Sequence, residues 1–211
     1  MTPAGEPAGA PRADEFRARL RDGGEVVLRP IRPDDAGALA AAFERLSTAS
    51  RQRRFLAPVP ELRPDVLRYL TDVDQRDHLA WIAFDPAAPG RPGVGVARAI
   101  RLPGEPTVAE AAVTVVDAYQ GRGLGTLLLG ALGAAARAQG ITTFRALVDA
   151  HNAPMLALLR ELGAEVRGRE EGAWWFDVGA PGDPASLPDT PAGRVVRAVA
   201  AGQVQVAPPG G

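Results

Sequence analysis

Residues 113–129 read VTVVDAYQGRGLGTLLL, and this stretch decides the fold. An apolar, β-branched run ends at Val116, alternate glycines occupy residues 121–125, and an apolar helical pattern follows. Glycine lets the backbone turn so that successive N–H groups face one point, and a helix start leaves such groups unpaired. A helix start also carries about half a positive charge, to which Arg122 adds a full charge. The stretch therefore predicts a strand, an anion-binding loop and a helix.

Three interpretations of the glycine loop are open. One is a structural tight turn, although such a turn seldom needs three alternate glycines. The second is a dinucleotide-binding turn, whose third glycine would stand one residue later, where the chain has Thr126. Asp149 keeps this interpretation open, because dinucleotide folds place an acidic residue at the end of the next strand. The third is a diphosphate-binding loop of another lineage.

The apolar pattern on both sides of the loop predicts further elements. Helices are predicted at residues 13–22, 33–46, 47–55, 64–71, 124–140, 152–163 and 193–201. Strands are predicted at residues 25–31, 79–84, 94–101, 107–116, 143–148, 165–169 and 174–178. Because this order is neither a meander nor a regular alternation, it predicts a mixed sheet with helices on its faces.

Several segments resemble one enzyme family. The hexapeptide QGRGLG at residues 120–125 resembles the acyl-CoA signature Q/R-x-x-G-x-G/A of the GCN5-related N-acetyltransferase (GNAT) family. The segments LRDGGEVVLRPIRPDD, RLSTASRQRRF and AEAAVTVVDAYQGRGLGTLLL are similar to the acetyltransferase domain of bacterial Pat-type protein lysine acetyltransferases. The resemblance covers residues 17–178. It implies a GNAT-type α/β (α+β) fold, with a mostly antiparallel central sheet of about seven strands and helices on both faces.

The chain is expected to divide into three parts. Residues 1–12 are rich in proline, glycine and alanine and are predicted to be a disordered tail. Residues 13–178 form the predicted acetyltransferase domain. Residues 179–211 form a proline- and glycine-rich extension that contains a short helix.

The resemblance implies that acetyl-CoA is the acyl donor. Main-chain N–H groups of the loop would hold its diphosphate, and the strand before the loop would pair with its pantetheine arm. Splaying of the strands at residues 107–116 and 143–148 would give the cofactor room. The residues assigned to cofactor binding are Val115, Val116, Gln120, Gly121, Arg122, Gly123, Leu124, Gly125, Thr126 and Asn152.

Glu110 is the expected catalytic base. The acceptor amine must lose a proton before it can attack a thioester, because a lysine amine is almost wholly protonated at neutral pH. Glu110 interrupts an apolar strand, where burial would raise its pKa, and it matches the glutamate of the Pat-type pattern. A solvent-facing strand residue with no catalytic role is the alternative.

The expected general acid is missing from its usual place. Many family members have a tyrosine seven residues after the asparagine, where this chain has Leu159. A thiolate leaves readily because its pKa is near 8.5, so this loss need not abolish activity. Tyr119 is better placed to pack than to donate a proton. His151 is either a proton relay or a surface residue.

The remaining polar residues give weaker signals. Arg51, Arg53 and Arg54 are expected to form a solvated helix face that also contacts an acidic acceptor or the 3′-phosphate of the cofactor. Trp174 and Trp175 alternate along a strand, so one is expected in the core and the other beside the acceptor. His78 is expected to be structural, and without cysteine no metal site is expected.

Composition narrows the function. The net charge is -1 among 211 residues, which argues against a general nucleic-acid or membrane-surface binder. The chain has no signal-peptide or membrane-spanning pattern, so a cytoplasmic location is expected. The predicted reaction is direct transfer of acetyl to an amine, with protein lysine favoured. A polyamine, antibiotic or amino acid acceptor is one alternative, and a non-catalytic acyl-CoA sensor is another, while the oligomeric state stays open.

Overall fold

The structure is a computed structural model that describes residues 15–180 and 188–200. The tail predicted at residues 1–12 lies outside these residues, and so does most of the extension predicted at residues 179–211. Among the described residues, no helix is long and apolar enough to cross a bilayer. The described part of the chain also has no cluster of three or more His, Asp or Glu side chains that could hold a metal ion.

Within the described residues, eight strands form one sheet and six α-helices accompany it. The strands are β1 (Phe16–Arg19), β2 (Glu25–Pro30), β3 (His78–Phe84), β4 (Gly93–Leu102), β5 (Glu105–Val115), β6 (Thr143–Asp149), β7 (Glu165–Glu170) and β8 (Ala173–Gly179). The helices are α1 (Ala36–Glu44), α2 (Thr48–Phe55), α3 (Pro64–Thr71), α4 (Leu124–Ala138), α5 (Ala153–Glu161) and α6 (Pro191–Ala200).

The strand order is β1-β2-β3-β4-β5-β6-β8-β7, and only β5 and β6 are parallel neighbours. This confirms the mixed, mostly antiparallel sheet. The helix predicted at residues 13–22 is wrong, because Phe16–Arg19 pairs with β2 as an edge strand. That pairing, from Phe16 opposite Leu28 to Arg19 opposite Glu25, adds the eighth strand.

Helices cover both faces of the sheet. Alternate residues of β3 belong to two separate apolar clusters, with Leu79 in the larger and Ile82 in the smaller. Because successive strand residues point to opposite faces, the clusters lie on opposite sides of the sheet. The larger cluster includes the buried residues of α4, and α6 packs on α4 with Val199 against Gly130 and with Val196 fully buried in the same cluster. The smaller cluster lies under α1 and α3.

The sheet opens between β5 and β6. The two strands pair only from Val108 opposite Thr143 to Glu110 opposite Arg145, although β5 continues to Val115 and β6 to Asp149. The expected splay is therefore present, and it opens on the side where the glycine loop begins.

Candidate active site

A cleft of about 370 Å³ lies at this opening. Its walls come from α2, the end of β5, the glycine loop and α5, and Ala192 of α6 also reaches it. The cleft brings together most of the residues predicted to bind the cofactor. Those that line it are Val115, Gln120, Gly121, Gly123, Leu124, Gly125, Thr126 and Asn152.

Two of the three loop glycines have backbone conformations that favour glycine. Gly121 has φ of 72° and Gly123 has φ of 90°, and side chains strain the backbone in this region. Gly125 already lies in α4, and a Cβ there would make an ordinary contact of 3.9 Å with Val115. The loop therefore needs its first two glycines for conformation, whereas the third only keeps the helix surface small.

The loop presents a run of unpaired N–H groups. The N–H of Gln120 donates to the carbonyl of Asp117 at 3.1 Å, and the N–H of Leu127 donates to the carbonyl of Gly123 at 3.2 Å. Between them, the N–H groups of residues 121–126 have no acceptor among residues 15–180 and 188–200. These six donors belong to the loop and to the positive end of α4, which is an arrangement suited to an anion.

The end of β5 offers a different set of backbone groups from the one expected. Val116 uses both of its groups internally, because its N–H donates to Val94 at 3.0 Å and its carbonyl accepts from Tyr119 at 2.8 Å. In a strand, alternate residues direct these groups to the same side. Val115 and Val113 therefore face the opening, where the Val115 carbonyl accepts from the Gln120 side chain at 2.9 Å.

Arg122 does not bring its charge to the cleft as expected. Its guanidinium forms a 2.6 Å ion pair with Asp22 and lies 4.7 Å from the centre of the Tyr119 ring. The hydrogen bond from Arg122 lowers the pKa of the Asp22 carboxyl. Arg21, on the turn after β1, lines the cleft instead, and its side chain passes 3.5 Å from the position of a Cβ on Gly123. No local pattern in the sequence points to Arg21 as a residue of this cleft.

The three arginines of α2 have different roles. Arg51 was expected to be solvated, but it donates to the carbonyls of Leu46, Pro60 and Glu44 and stacks on the Phe43 ring. Arg53 and Arg54 line the cleft and have no carboxylate within ion-pair distance among the described residues. Burial lowers the pKa of Arg54, and the nearby charge of Glu110 opposes this effect.

Glu110 is exposed rather than buried. It lies opposite Ile100 and beside Arg145 at the last paired position of β5 and β6. The burial expected for Glu110 is wrong, because its neighbours Ala109 and Ala111 point to the opposite face of the sheet and are the residues that enter the core. Within the described residues Glu110 has no hydrogen bond, so its carboxylate is open to a partner.

The helix predicted from residue 152 is α5, and Asn152 caps it, since its Oδ1 accepts from the N–H of Met155 at 3.3 Å. Leu159 is buried at 4% exposure and borders a smaller apolar cavity that continues from the cleft into the splay.

Tyr119 donates to Asp85 at 2.5 Å, and burial together with this bond raises its pKa, which makes it a poorer acid. His151 is exposed, and its ring contacts Asp149 at 3.2 Å.

Strand β4 carries a buried arginine. Arg98 is 5% exposed, contacts Nε2 of His78 and donates to the carbonyl of Leu70. Burial and the Arg98 charge lower the pKa of His78 to about 4, so His78 is neutral near pH 7 and structural. Trp174 and Trp175 are both half-buried, so the expectation of one core tryptophan is wrong.

Residues 25–165 match the acetyltransferase (GNAT) domain family. The chain belongs to the GNAT acetyltransferase family. It is 36% identical over 146 residues to acetyltransferase Pat of Mycolicibacterium smegmatis, covering 69% of this chain and 43% of that protein. It is 33% identical over 154 residues to acetyltransferase PA5475 of Pseudomonas aeruginosa, covering 73% of this chain and 82% of that protein.

A solved structure supports the same assignment. The GNAT domain of S. lividans PAT superposes with a TM-score of 0.72 and 31% identity, covering 81% of this chain and 99% of that domain. The chain spans less than half the length of the mycobacterial relative. Acetyl-CoA is the donor used by the family, and the open N–H groups of residues 121–126 suit its diphosphate.

Proposed function

We propose that this chain transfers acetyl from acetyl-CoA directly to an amine within a ternary complex, and that the favoured acceptor is a protein lysine. The observation that carries the proposal is the run of unpaired N–H groups at residues 121–126, placed at the mouth of the splay between β5 and β6. A nucleotide diphosphate satisfies such donors, and an extended arm enters such a splay.

In this proposal different residues of the cleft bind different parts of acetyl-CoA. The N–H groups of residues 121–126 bind the diphosphate, and Arg21 and Arg53 supply positive charge around the phosphates, while the charge of Arg54 lies near Glu110. Val113 and Val115 pair with the pantetheine arm, replacing the expected pair of Val115 and Val116. Asn152 borders the arm from the start of α5.

A protonated amine loses one proton before it can attack, and its nitrogen loses a second proton as the amide forms. Glu110 accepts the first directly or through water, and the amine lone pair then forms a bond to the thioester carbonyl carbon. A strand N–H, that of Val113 or Val115, stabilises the oxygen that becomes negative. The carbon–sulfur bond breaks, the nitrogen releases its second proton to water or to the departing sulfur, and CoA leaves as a thiolate or thiol, for which no dedicated acid is needed.

The exposure of Glu110 supports a large acceptor. A lysine that projects from another protein reaches an exposed carboxylate on an open sheet face, whereas small amines are usually enclosed by the enzyme. A polyamine, antibiotic or amino acid remains the second candidate, and a non-catalytic acyl-CoA sensor is the third. We further propose that residues 13–178 are the catalytic domain and that α6 of the extension packs back onto it.

The Glu110→Gln variant tests the function. We expect the rate of acetyl transfer to fall by about 10²–10⁴-fold, which is the usual contribution of a general base, while calorimetry finds acetyl-CoA affinity within about twofold. Glu105→Gln is the matched control, because Glu105 lies on the same strand and pairs with Arg145 at 2.7 Å. Acceptors for the thiol-release assay are acyl-CoA synthetases, polyamines and aminoglycosides. Turnover that survives in Glu110→Gln contradicts the assignment of Glu110 as the base. If the unmodified protein shows no turnover with any of these acceptors, the result favours the non-catalytic sensor.

A further inference from the structure

Helix α2 carries two cleft arginines but has little apolar anchoring of its own. Ser50 is its only buried residue, and its apolar contact is the packing of Phe55 on the Phe43 ring. Arg53 and Arg54 line the cleft from its last turn. A helix this short and polar is not held by propensity alone, so its position depends on tertiary contacts.

Asp117 provides such a contact at the N-terminus of α2. Its Oδ2 accepts from the N–H of Ser47 at 3.0 Å, and its Oδ1 accepts from the hydroxyls of Ser47 at 2.8 Å and Ser50 at 2.9 Å. A carboxylate at this place also faces the positive end of the helix. Burial raises the pKa of Asp117, but the hydrogen bonds from Ser47 and Ser50 outweigh it and hold the pKa below its ordinary value.

The same contact continues into the glycine loop. The side-chain amide of Gln120 donates to the Ser50 hydroxyl at 3.2 Å and to the Val115 carbonyl at 2.9 Å. The N–H of Gln120 donates to the carbonyl of Asp117. One short turn thus joins the helix with the arginines, the last residue of β5 and the start of the anion-binding loop.

We propose that Asp117 is a positioning residue for acetyl-CoA, acting by fixing α2 so that Arg53 and Arg54 keep their places in the wall of the cleft. It does not touch the cofactor, since it does not line the cleft. This inference rests on the proposed function, because it assumes that the cleft binds acetyl-CoA.

The test measures acetyl-CoA affinity by calorimetry in the full chain. We expect Asp117→Asn to weaken binding about tenfold, which is the order of one charge-assisted hydrogen bond. The key measurement repeats Asp117→Asn in the double variant Arg53→Ala and Arg54→Ala. If Asp117 acts through these arginines, its substitution there changes affinity by less than about twofold, a non-additivity that general destabilisation does not produce.

Asp74→Asn is the matched control for lost stability. Asp74 also accepts three hydrogen bonds, from the N–H groups of Arg76, Asp77 and His78, and those bonds lower its pKa, but it lies away from the cleft. We expect it to lower the melting temperature without changing affinity. If Asp117→Asn does not fold, Ser47→Ala carries the test with an expected loss of about threefold.

Each result decides the matter. Unchanged affinity in Asp117→Asn, additive losses with the arginine variants, or an equal loss in Asp74→Asn would overturn the positioning role. Failure of the unmodified protein to bind acetyl-CoA would instead overturn the proposed function.

Discussion

Gly123 and Gly125 are two positions apart in the sequence, but their backbone conformations differ: Gly123 is left-handed, whereas Gly125 lies in α4. Gly123 has φ of 90°, and a Cβ there would meet nothing closer than the Arg21 side chain at 3.5 Å. The cost of Gly123→Ala is therefore backbone strain rather than a clash, and amounts to about 1–2 kcal/mol. For a domain of this size that cost lowers the melting temperature by about 2–8 °C.

The same substitution should weaken acetyl-CoA binding. To relieve the strain the backbone rotates at residue 123, which turns the neighbouring N–H groups away from their common point. Losing one hydrogen bond to a charged group corresponds to at least about tenfold in affinity. Gly125→Ala is the matched control, because its Cβ makes only an ordinary contact with Val115 and the helix gains up to about 1 kcal/mol.

Calorimetry with acetyl-CoA and thermal unfolding of both variants check this reasoning. We expect Gly123→Ala to lose both affinity and stability, and Gly125→Ala to keep affinity within about twofold. Equal affinity in Gly123→Ala and the unmodified protein refutes the claim that this backbone conformation builds the anion site.

Two further predictions concern stability. Burial and the Arg98 charge lower the pKa of His78 from 6.5 to about 4. As the pH falls from 6.5 to 4, the unfolded chain therefore binds a proton at His78 that the folded chain does not bind, and the folded state loses stability. The stability lost there is about 1–2 kcal/mol after allowing for the half-exposure of His78, and denaturant unfolding of His78→Asn should show a flatter pH dependence between pH 6.5 and 4. If the free energy of unfolding of His78→Asn depends on pH as steeply as that of the unmodified protein, this prediction is wrong. Val196→Ala, at a fully buried position of α6, should cost about 2 kcal/mol, whereas the exposed Arg194→Ala should cost less than about 0.5 kcal/mol. Equal effects in urea unfolding would show that α6 does not pack on α4 in solution.

The sequence predicted the elements with local signals. The glycine loop, the helix that begins after Asn152 and the strands of alternating or apolar character are found at nearly the predicted places, because turn chemistry and periodicity are local properties. The segment at residues 13–22 failed for the opposite reason. Its four central residues have no strong preference, and pairing with β2 decides their structure.

The candidate site shows the same division. Spacing located the loop but did not show that Arg122 turns back to Asp22, or that Val116 is already paired with Val94. The hydrogen bond between Asp117 and Ser47 joins residues 70 positions apart, so no local sequence pattern predicts it. Partners of side chains and backbone groups depend on tertiary packing, so they became visible only with the structure.

Amide hydrogen exchange measured by NMR tests the central claim most directly. If the N–H groups of residues 121–126 bind the diphosphate, their exchange slows when acetyl-CoA is added, while the amides of Val116 and Gln120, already bonded within the protein, change little. Pantetheine, which lacks the diphosphate, leaves residues 121–126 unprotected. Protection elsewhere in the chain but not at residues 121–126, or equal protection by pantetheine, contradicts the account.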